Sequence, residues 1–136
     1  MICIKEQLPS VEEFNDLTNS VGWGTEPEQV VKNALAHTLY AVCAYDGERI
    51  IGHARLIGDG ALFAYVQDVM VRPEAQKQGV GKKLMQCVVN RIDEMKKESP
   101  NLRAYLGASV GKEAFYRQFG VEVRRDAGLG EGMVRF

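Results

Sequence analysis

The spacing of hydrophobic residues predicts a chain of alternating strands and helices. Near the N-terminus, Ile2 and Ile4 alternate with polar neighbours as in a short strand, and apolar residues then recur at helical spacing in two segments. Ser10 and Glu13 have the spacing of a capping box for the first helix, and Thr25 is a candidate cap for the second. The first 38 residues are therefore predicted to form a strand, a helix, a loop and a helix.

The middle of the chain changes to the period of strands. Turn signals at 46–47 and 58–60 separate three apolar segments, which predict an antiparallel meander over residues 39–45, 49–57 and 61–71. An apolar stripe from residue 79 to about residue 97 predicts the longest helix, and residues 102–106 predict another strand. A crossover through that helix makes the strands on either side of it parallel.

The C-terminal region predicts one more helix, over residues 111–119, and two closing strands at 121–124 and 133–136. The predicted fold class is α/β (α+β), with one parallel strand pair in an otherwise antiparallel sheet. A chain of 136 residues is long enough to bury its own core, so residues 1–136 are predicted to form a single domain.

Composition narrows the classes of function. The 17 basic and 18 acidic residues leave a net charge of -1, which gives no bulk field for nucleic acid or an anionic membrane. The cysteines Cys3, Cys43 and Cys87 lack metal-ligand spacing and are interpreted as free thiols. Charged residues near the N-terminus and the absence of a long apolar run favour a cytoplasmic protein. The two histidines have no ligand cluster, so no metal is expected.

The segment at 67–83 carries the chemistry. Gly79 and Gly81 stand where the long helix begins, and the first N–H groups of a helix have no partner inside it. Glycines leave those amides uncovered, which suits a phosphate group, and Lys77, Lys82 and Lys83 add positive charge at the rim. The sequence therefore predicts a phosphate site at this helix start.

Two common phosphate motifs do not fit this segment. A Walker loop would need glycine at Gln76 and a hydroxyl residue at Lys83, and a dinucleotide fingerprint would need glycine at Leu84. The run Gln76-Lys77-Gln78-Gly79-Val80-Gly81 instead resembles the acetyl-CoA loop of the GNAT superfamily of N-acetyltransferases. The run from Ala114 to Val121, with its aromatic pair and glycine, is similar to that family's second signature, and the order of elements resembles the family over nearly the whole chain. The resemblance implies the family's fold, a mixed, mostly antiparallel sheet with one central parallel strand pair and helices on both faces.

The resemblance implies a set of cofactor contacts. The main chain of the strand at Val69, Met70 and Val71 would bind the pantetheine arm of acetyl-CoA. The diphosphate would be held by the backbone amides of the loop, which are those of Gln76, Lys77, Gln78, Gly79, Val80, Gly81 and Lys82. The alternative interpretation of Gly79 and Gly81 is a flexible helix start that binds no ligand.

The same resemblance implies catalytic roles. Tyr116 matches the family's tyrosine and is the candidate general acid beside the cofactor, because a phenol can protonate the departing thiolate; otherwise it is a packed aromatic residue. Asp68 is the first candidate for the base that the amine requires, and a structural carboxylate is equally favoured. Trp23 and His53 are candidates for the acceptor site, although an anchoring aromatic residue and a hydrogen-bonded core histidine are the commoner outcomes.

The predicted function is acetyl transfer from acetyl-CoA to a primary amine by direct attack in a ternary complex. The alternative is a catalytically silent acyl-CoA-binding or sensory module. The expected partner is a small-molecule amine, with no nucleic acid or membrane, and a homodimer through the closing strands is implied by resemblance alone. The identity of the amine is set by variable loops and is not readable from this sequence.

Overall fold

Five strands and four α-helices make up the computed structural model, which describes residues 1–136. In chain order they are β1 (Ile2–Lys5), α1 (Val11–Ser20), α2 (Glu28–Ala36), β2 (Tyr40–Asp46), β3 (Arg49–Ile57), β4 (Phe63–Val71), α3 (Val80–Glu98), β5 (Arg103–Leu106) and α4 (Glu113–Arg117). Single 3-10 turns occupy Pro73–Ala75 and Arg124–Ala127. No helix is both long enough and apolar enough to cross a lipid bilayer.

The strands form one sheet in the order β1-β2-β3-β4-β5. The pairs from β1 to β4 are antiparallel, and β4 and β5 are parallel, which confirms the predicted mixed sheet. β5 is the last strand in this order, so the parallel pair lies at an edge of the sheet. The sequence had predicted it at the centre, and that part of the prediction is wrong.

The chain divides into two compact units, Met1–Tyr105 and Leu106–Phe136. The first unit contains β1 to β4, α1 to α3 and nearly all of β5. The second contains α4 and the turn at Arg124–Ala127. That the whole chain forms one domain stays a prediction.

Helices cover both faces of the sheet in the first unit. On one face, α1 and α2 pack on β2, β3 and β4 through a cluster of buried side chains, which are Phe14, Leu17, Val31, Leu35, Cys43, Tyr45, Ile50 and Met70. On the other face α3 lies close to β3, because Gly52 has no Cβ: one built there would come within 2.9 Å of Leu84 Cδ1. The apolar stripe predicted for α3 therefore lies against the sheet through residues such as Leu84 and Val88.

Side-chain caps set several helix and strand starts. Ser10 and Glu13 form the predicted capping box of α1, with reciprocal bonds of 3.0 and 2.9 Å. Thr25 does not cap α2, because the helix begins at Glu28 and Pro27 takes the cap position. β4 begins at Phe63, two residues later than predicted, because one carboxylate oxygen of Asp59 accepts the N–H groups of residues 61, 62 and 63.

The two predicted closing strands are wrong. Residues 121–124 and 133–136 form no strand. After Val123 the backbone turns into the 3-10 segment, where the N–H groups of Gly128 and Leu129 bond the carbonyls of Arg125 and Arg124. Local bonds thus replace the cross-strand bonds that a strand requires. α4 is also shorter than predicted, at Glu113–Arg117.

Candidate functional site

A β-bulge interrupts β4 where the sequence analysis placed the catalytic carboxylate. His53 is paired with Met70, and Arg55 is paired with Gln67, so two residues of β4 oppose one residue of β3. The two bulged residues of β4 are Asp68 and Val69, and they lie opposite Ala54 of β3. Asp68 has φ of 53°, which is the left-handed conformation and is uncommon for any residue other than glycine. The bulge therefore changes the direction of the backbone within β4.

Two side chains of β3 hold the bulge. His53 Nδ1 lies 2.7 Å from the carbonyl oxygen of Asp68, and Arg55 Nε lies 2.7 Å from Asp68 Oδ2. The second contact is an ion pair between two largely buried side chains. His53 and Asp68 are candidates from the sequence, whereas Arg55 is not, because its only signal is a charge within a mostly apolar strand.

His53 is a neutral core residue. Its side chain is completely buried, and burial lowers the pKa of the ring to about 4, against the opposing effect of its bond to Asp68. A carbonyl can only accept, so Nδ1 carries the proton and donates it. Nε2 is buried and has no hydrogen-bond partner. The acceptor-site role predicted for His53 stays a prediction.

The start of α3 has the geometry expected for binding an anion. Gly79 is the N-cap residue with φ of 79°, and Lys77 is also left-handed with φ of 64°. No side chain caps the helix, and the backbone N–H groups from residue 77 to residue 82 bond no group of the protein. A Cβ added to Gly79 would meet no atom within 4 Å beyond its chain neighbours, so the space beside this residue is open.

The side chains of the other predicted cofactor-binding residues differ in their hydrogen bonds and in their exposure. Gln76 donates from Nε2 to the carbonyl of Val71 at 3.0 Å, which ties the loop to the end of β4. Gln78 bonds the carbonyl of Glu74 at 3.3 Å. Val80 and Met70 are buried, so only their main chains are available to a ligand, while Lys82 and Lys77 are exposed.

Arg72 fixes the end of β4 and was missed by the sequence analysis. Its Nε donates to the carbonyl of Ile50 at 2.6 Å, and its guanidinium forms an ion pair with Asp16 of α1. Its own N–H bonds the carbonyl of Ile51 at 2.8 Å. The buried guanidinium of Arg72, at the end of β4, therefore connects β4 with α1 and β3.

Tyr116 lies in α4 of the second unit. Its ring contacts Phe115 edge-on with centroids 5.0 Å apart, and its hydroxyl has no hydrogen-bond partner in the protein. Burial raises the pKa of Tyr116. A phenol that keeps its proton is suited to the predicted role of general acid.

Trp23 lies in the loop after α1. Its side chain is 54% exposed, and its backbone N–H bonds the carbonyl of Thr18 at 2.9 Å. It is therefore not an anchor buried in the core.

Two open cavities border the helices of the first unit. One, of about 720 Å³, lies between the start of α1 and the β2–β3 turn, and its lining includes Glu12, Asp16 and Glu48. The other, of about 610 Å³, lies at the end of α2 and is bordered by Arg55. No three or more His, Cys, Asp and Glu side chains are grouped to hold a metal ion.

A mixed sheet with a bulged strand, followed by an uncapped glycine helix start, defines an α/β fold in which the start of α3 has the geometry expected for an anion. The profile of the acetyltransferase (GNAT) domain matches residues 36–123. An acetyltransferase of the GNAT family from Streptococcus pneumoniae is 31% identical, with a TM-score of 0.78, and the alignment covers 100% of this chain and 98% of that one. The chain belongs to the GNAT acetyltransferase family.

Further relatives agree with this assignment. An uncharacterized N-acetyltransferase ycf52-like from Prochlorococcus marinus is 35% identical over 112 residues, which are 79% of this chain and 60% of the relative. A probable acetyltransferase structure from Staphylococcus aureus shares the fold, with a TM-score of 0.84 at 22% identity and full coverage of both chains. The chain spans about 60% of the length of that Prochlorococcus relative.

Proposed function

We propose that this protein is an acetyl-CoA-dependent N-acetyltransferase that acts on a primary amine in a ternary complex. The observation that carries the proposal is the set of unpartnered amides at the start of α3, opened by Gly79. These amides and the positive end of the helix fit the diphosphate of coenzyme A. Membership of the GNAT family supports the choice of this cofactor.

The residues of the chain would divide the chemistry among them. Bound acetyl-CoA supplies an activated thioester. The amides from residue 77 to residue 82 would bind its diphosphate, and the main chain of Val69 and Val71 would orient its pantetheine arm. These contacts position one reactant before the amine arrives, which is a large part of the rate gain in two-substrate transfer.

Asp68 and Tyr116 would handle the protons. One carboxylate oxygen of Asp68 is bound by Arg55, and the other accepts no hydrogen bond from the protein. That free oxygen can accept a proton from the amine, directly or through an ordered water. The Tyr116 phenol, whose pKa is raised by burial, would donate to the leaving sulfur.

Calorimetry with acetyl-CoA and with CoA tests the cofactor site. We expect Gly79→Ala to weaken binding about tenfold or more, because a Cβ strains the left-handed cap and covers the amides. Gly22→Ala is the matched control: Gly22 has φ of 84° and equally open space but lies in the loop after α1. Absence of binding by the wild type at millimolar CoA would refute the proposal.

Free-thiol release with an amine panel tests the reaction. Serotonin belongs in the panel because a rice relative, 30% identical over 129 residues, is named serotonin N-acetyltransferase 2. Binding of CoA without thiol release for any amine would favour the silent acyl-CoA-binding alternative.

Tyr116→Phe tests the general acid. It should lower kcat by about 10- to 1,000-fold and leave the affinity for CoA nearly unchanged, since only the hydroxyl is lost. Unchanged turnover at saturating substrates would remove Tyr116 from the mechanism.

The remaining expectations are part of the same proposal. A cytoplasmic location is supported by the three free cysteines, Cys3, Cys43 and Cys87, which a reducing compartment preserves. The homodimer stays a prediction, and light scattering measures it.

A further inference from the structure

The backbone of Asp68 is held in a conformation that it would not adopt freely. A left-handed φ of 53° within a strand is strained for a residue with a side chain, and it persists only where the surroundings impose it. Asp tolerates this conformation better than most residues do, and here it coincides with the bulge. The constraint must come from neighbouring elements.

That constraint comes from β3. His53 and Arg55 are two residues apart, so they lie on the same face of the strand, and they flank Ala54, which is the single residue opposite the bulge. His53 binds the main-chain carbonyl of Asp68, and Arg55 binds its carboxylate, each at 2.7 Å. Both ends of one residue are thus held by the neighbouring strand.

The two anchors are themselves fixed. Arg55 Nη1 donates to the carbonyl of Ala34 at 3.1 Å and to Thr38 Oγ1 at 3.0 Å, both at the end of α2. The His53 ring packs edge-on against Phe14 of α1, with centroids 5.8 Å apart. Arg55 is 7% exposed and His53 is fully buried, so neither side chain can turn into solvent without leaving its partners.

Holding the Asp68 carbonyl also sets the direction of the next amide. In a planar trans peptide the N–H points opposite to the C=O, so the bond from His53 directs the N–H of Val69 away from the α1 face of the sheet. Val69 is the bulge residue whose main chain the proposed mechanism uses.

We infer that Arg55 and His53 are positioning residues that lock the β4 bulge, and with it the Val69 amide, in the conformation needed for acetyl transfer. This inference rests on the proposed function. Neither residue takes part in the chemistry. Arg55 acts through the side chain of Asp68, and His53 acts through the main-chain carbonyl of Asp68.

Paired variants separate positioning from packing. His53→Phe keeps a ring against Phe14 and removes the Nδ1 donor, whereas His53→Asn retains an N–H donor near the Nδ1 position. Per folded molecule, we expect His53→Phe to lower kcat/KM for acetyl-CoA about tenfold or more and His53→Asn to restore most of it. Equal activity of His53→Phe and wild type would overturn the inference.

Arg55→Met tests the second anchor, with Arg49→Met as the control. Both changes remove one arginine from an ion pair, but Arg49 pairs with Glu74 at the exposed surface. We expect a drop of about tenfold or more for Arg55→Met and less than about twofold for Arg49→Met. Similar effects of the two would contradict a specific role for Arg55.

A measurement on the wild type tests the hydrogen bond on which the inference depends, even if a variant does not fold. Nitrogen-15 NMR of the imidazole should show His53 protonated at Nδ1 and not at Nε2, since only that tautomer can donate to the Asp68 carbonyl. A proton on Nε2 alone would overturn the inference. This readout needs no cofactor, so failure of the wild type to bind CoA would refute the proposed function separately.

Discussion

His53 should make the protein sensitive to mild acid. The pKa of its ring is lowered from 6.5 to about 4 by burial, so between these values the unfolded chain binds a proton that the folded protein does not. The free energy of unfolding is therefore highest above pH 6.5, where both states are neutral at His53, and it falls as the pH is lowered towards 4. The loss amounts to about 2 kcal/mol between pH 7 and pH 5, and to about 3 kcal/mol once the pH is below 4.

Urea denaturation at half-unit steps from pH 7 to pH 5 measures this loss. His53→Phe should flatten the dependence over that range, because it removes the titrating ring. His37→Gln is the control, because it replaces the other histidine of the chain, which is exposed at the end of α2. Measurements above pH 5 exclude a contribution from the titration of Asp59, because three backbone amides lower the pKa of its carboxyl group. A wild-type loss below about 0.5 kcal/mol, or an equal loss in His53→Phe, would refute the reasoning.

Two further predictions concern packing and capping. Gly52→Ala should destabilise the fold by about 1–3 kcal/mol, because the new methyl would meet Leu84 Cδ1 at 2.9 Å and the carbonyl of Met70 at 3.2 Å; a urea midpoint equal to that of the wild type would contradict the close approach of α3. Ser10→Ala should cost about 1 kcal/mol through loss of the α1 cap, whereas Thr25→Ala, at a position that caps nothing, should stay within about 0.5 kcal/mol of wild type in the same assay.

Local signals made much of the fold predictable from sequence. The capping box of α1, the turn at Asp46–Gly47 and the apolar stripe of α3 each depend on residues close together in the chain. The two closing strands failed because alternation of apolar residues does not supply a partner strand. The turn that begins at Arg124 and ends with left-handed Gly128 satisfies the backbone locally instead.

The candidate site divides in the same way. The helix start at Gly79 was predictable, because glycine before an amphipathic stripe is a local pattern. The bulge was not, since an extra residue in β4 shows only when β4 is paired with β3. The ion pair of Arg55 with Asp68 joins residues 13 apart and depends on that register, so no spacing rule could have identified it.

The order of strands in the sheet has a consequence for how the chain assembles. β2, β3 and β4 are neighbours both in sequence and in space, joined by short turns, so their pairing closes only small loops. We expect such contacts to form before the pairing of β1 and β5, because each of those strands is separated from its partner in the sequence by helices. Because the bulge and both of its anchors lie within this meander, the backbone of the candidate site would be shaped before α3 has docked.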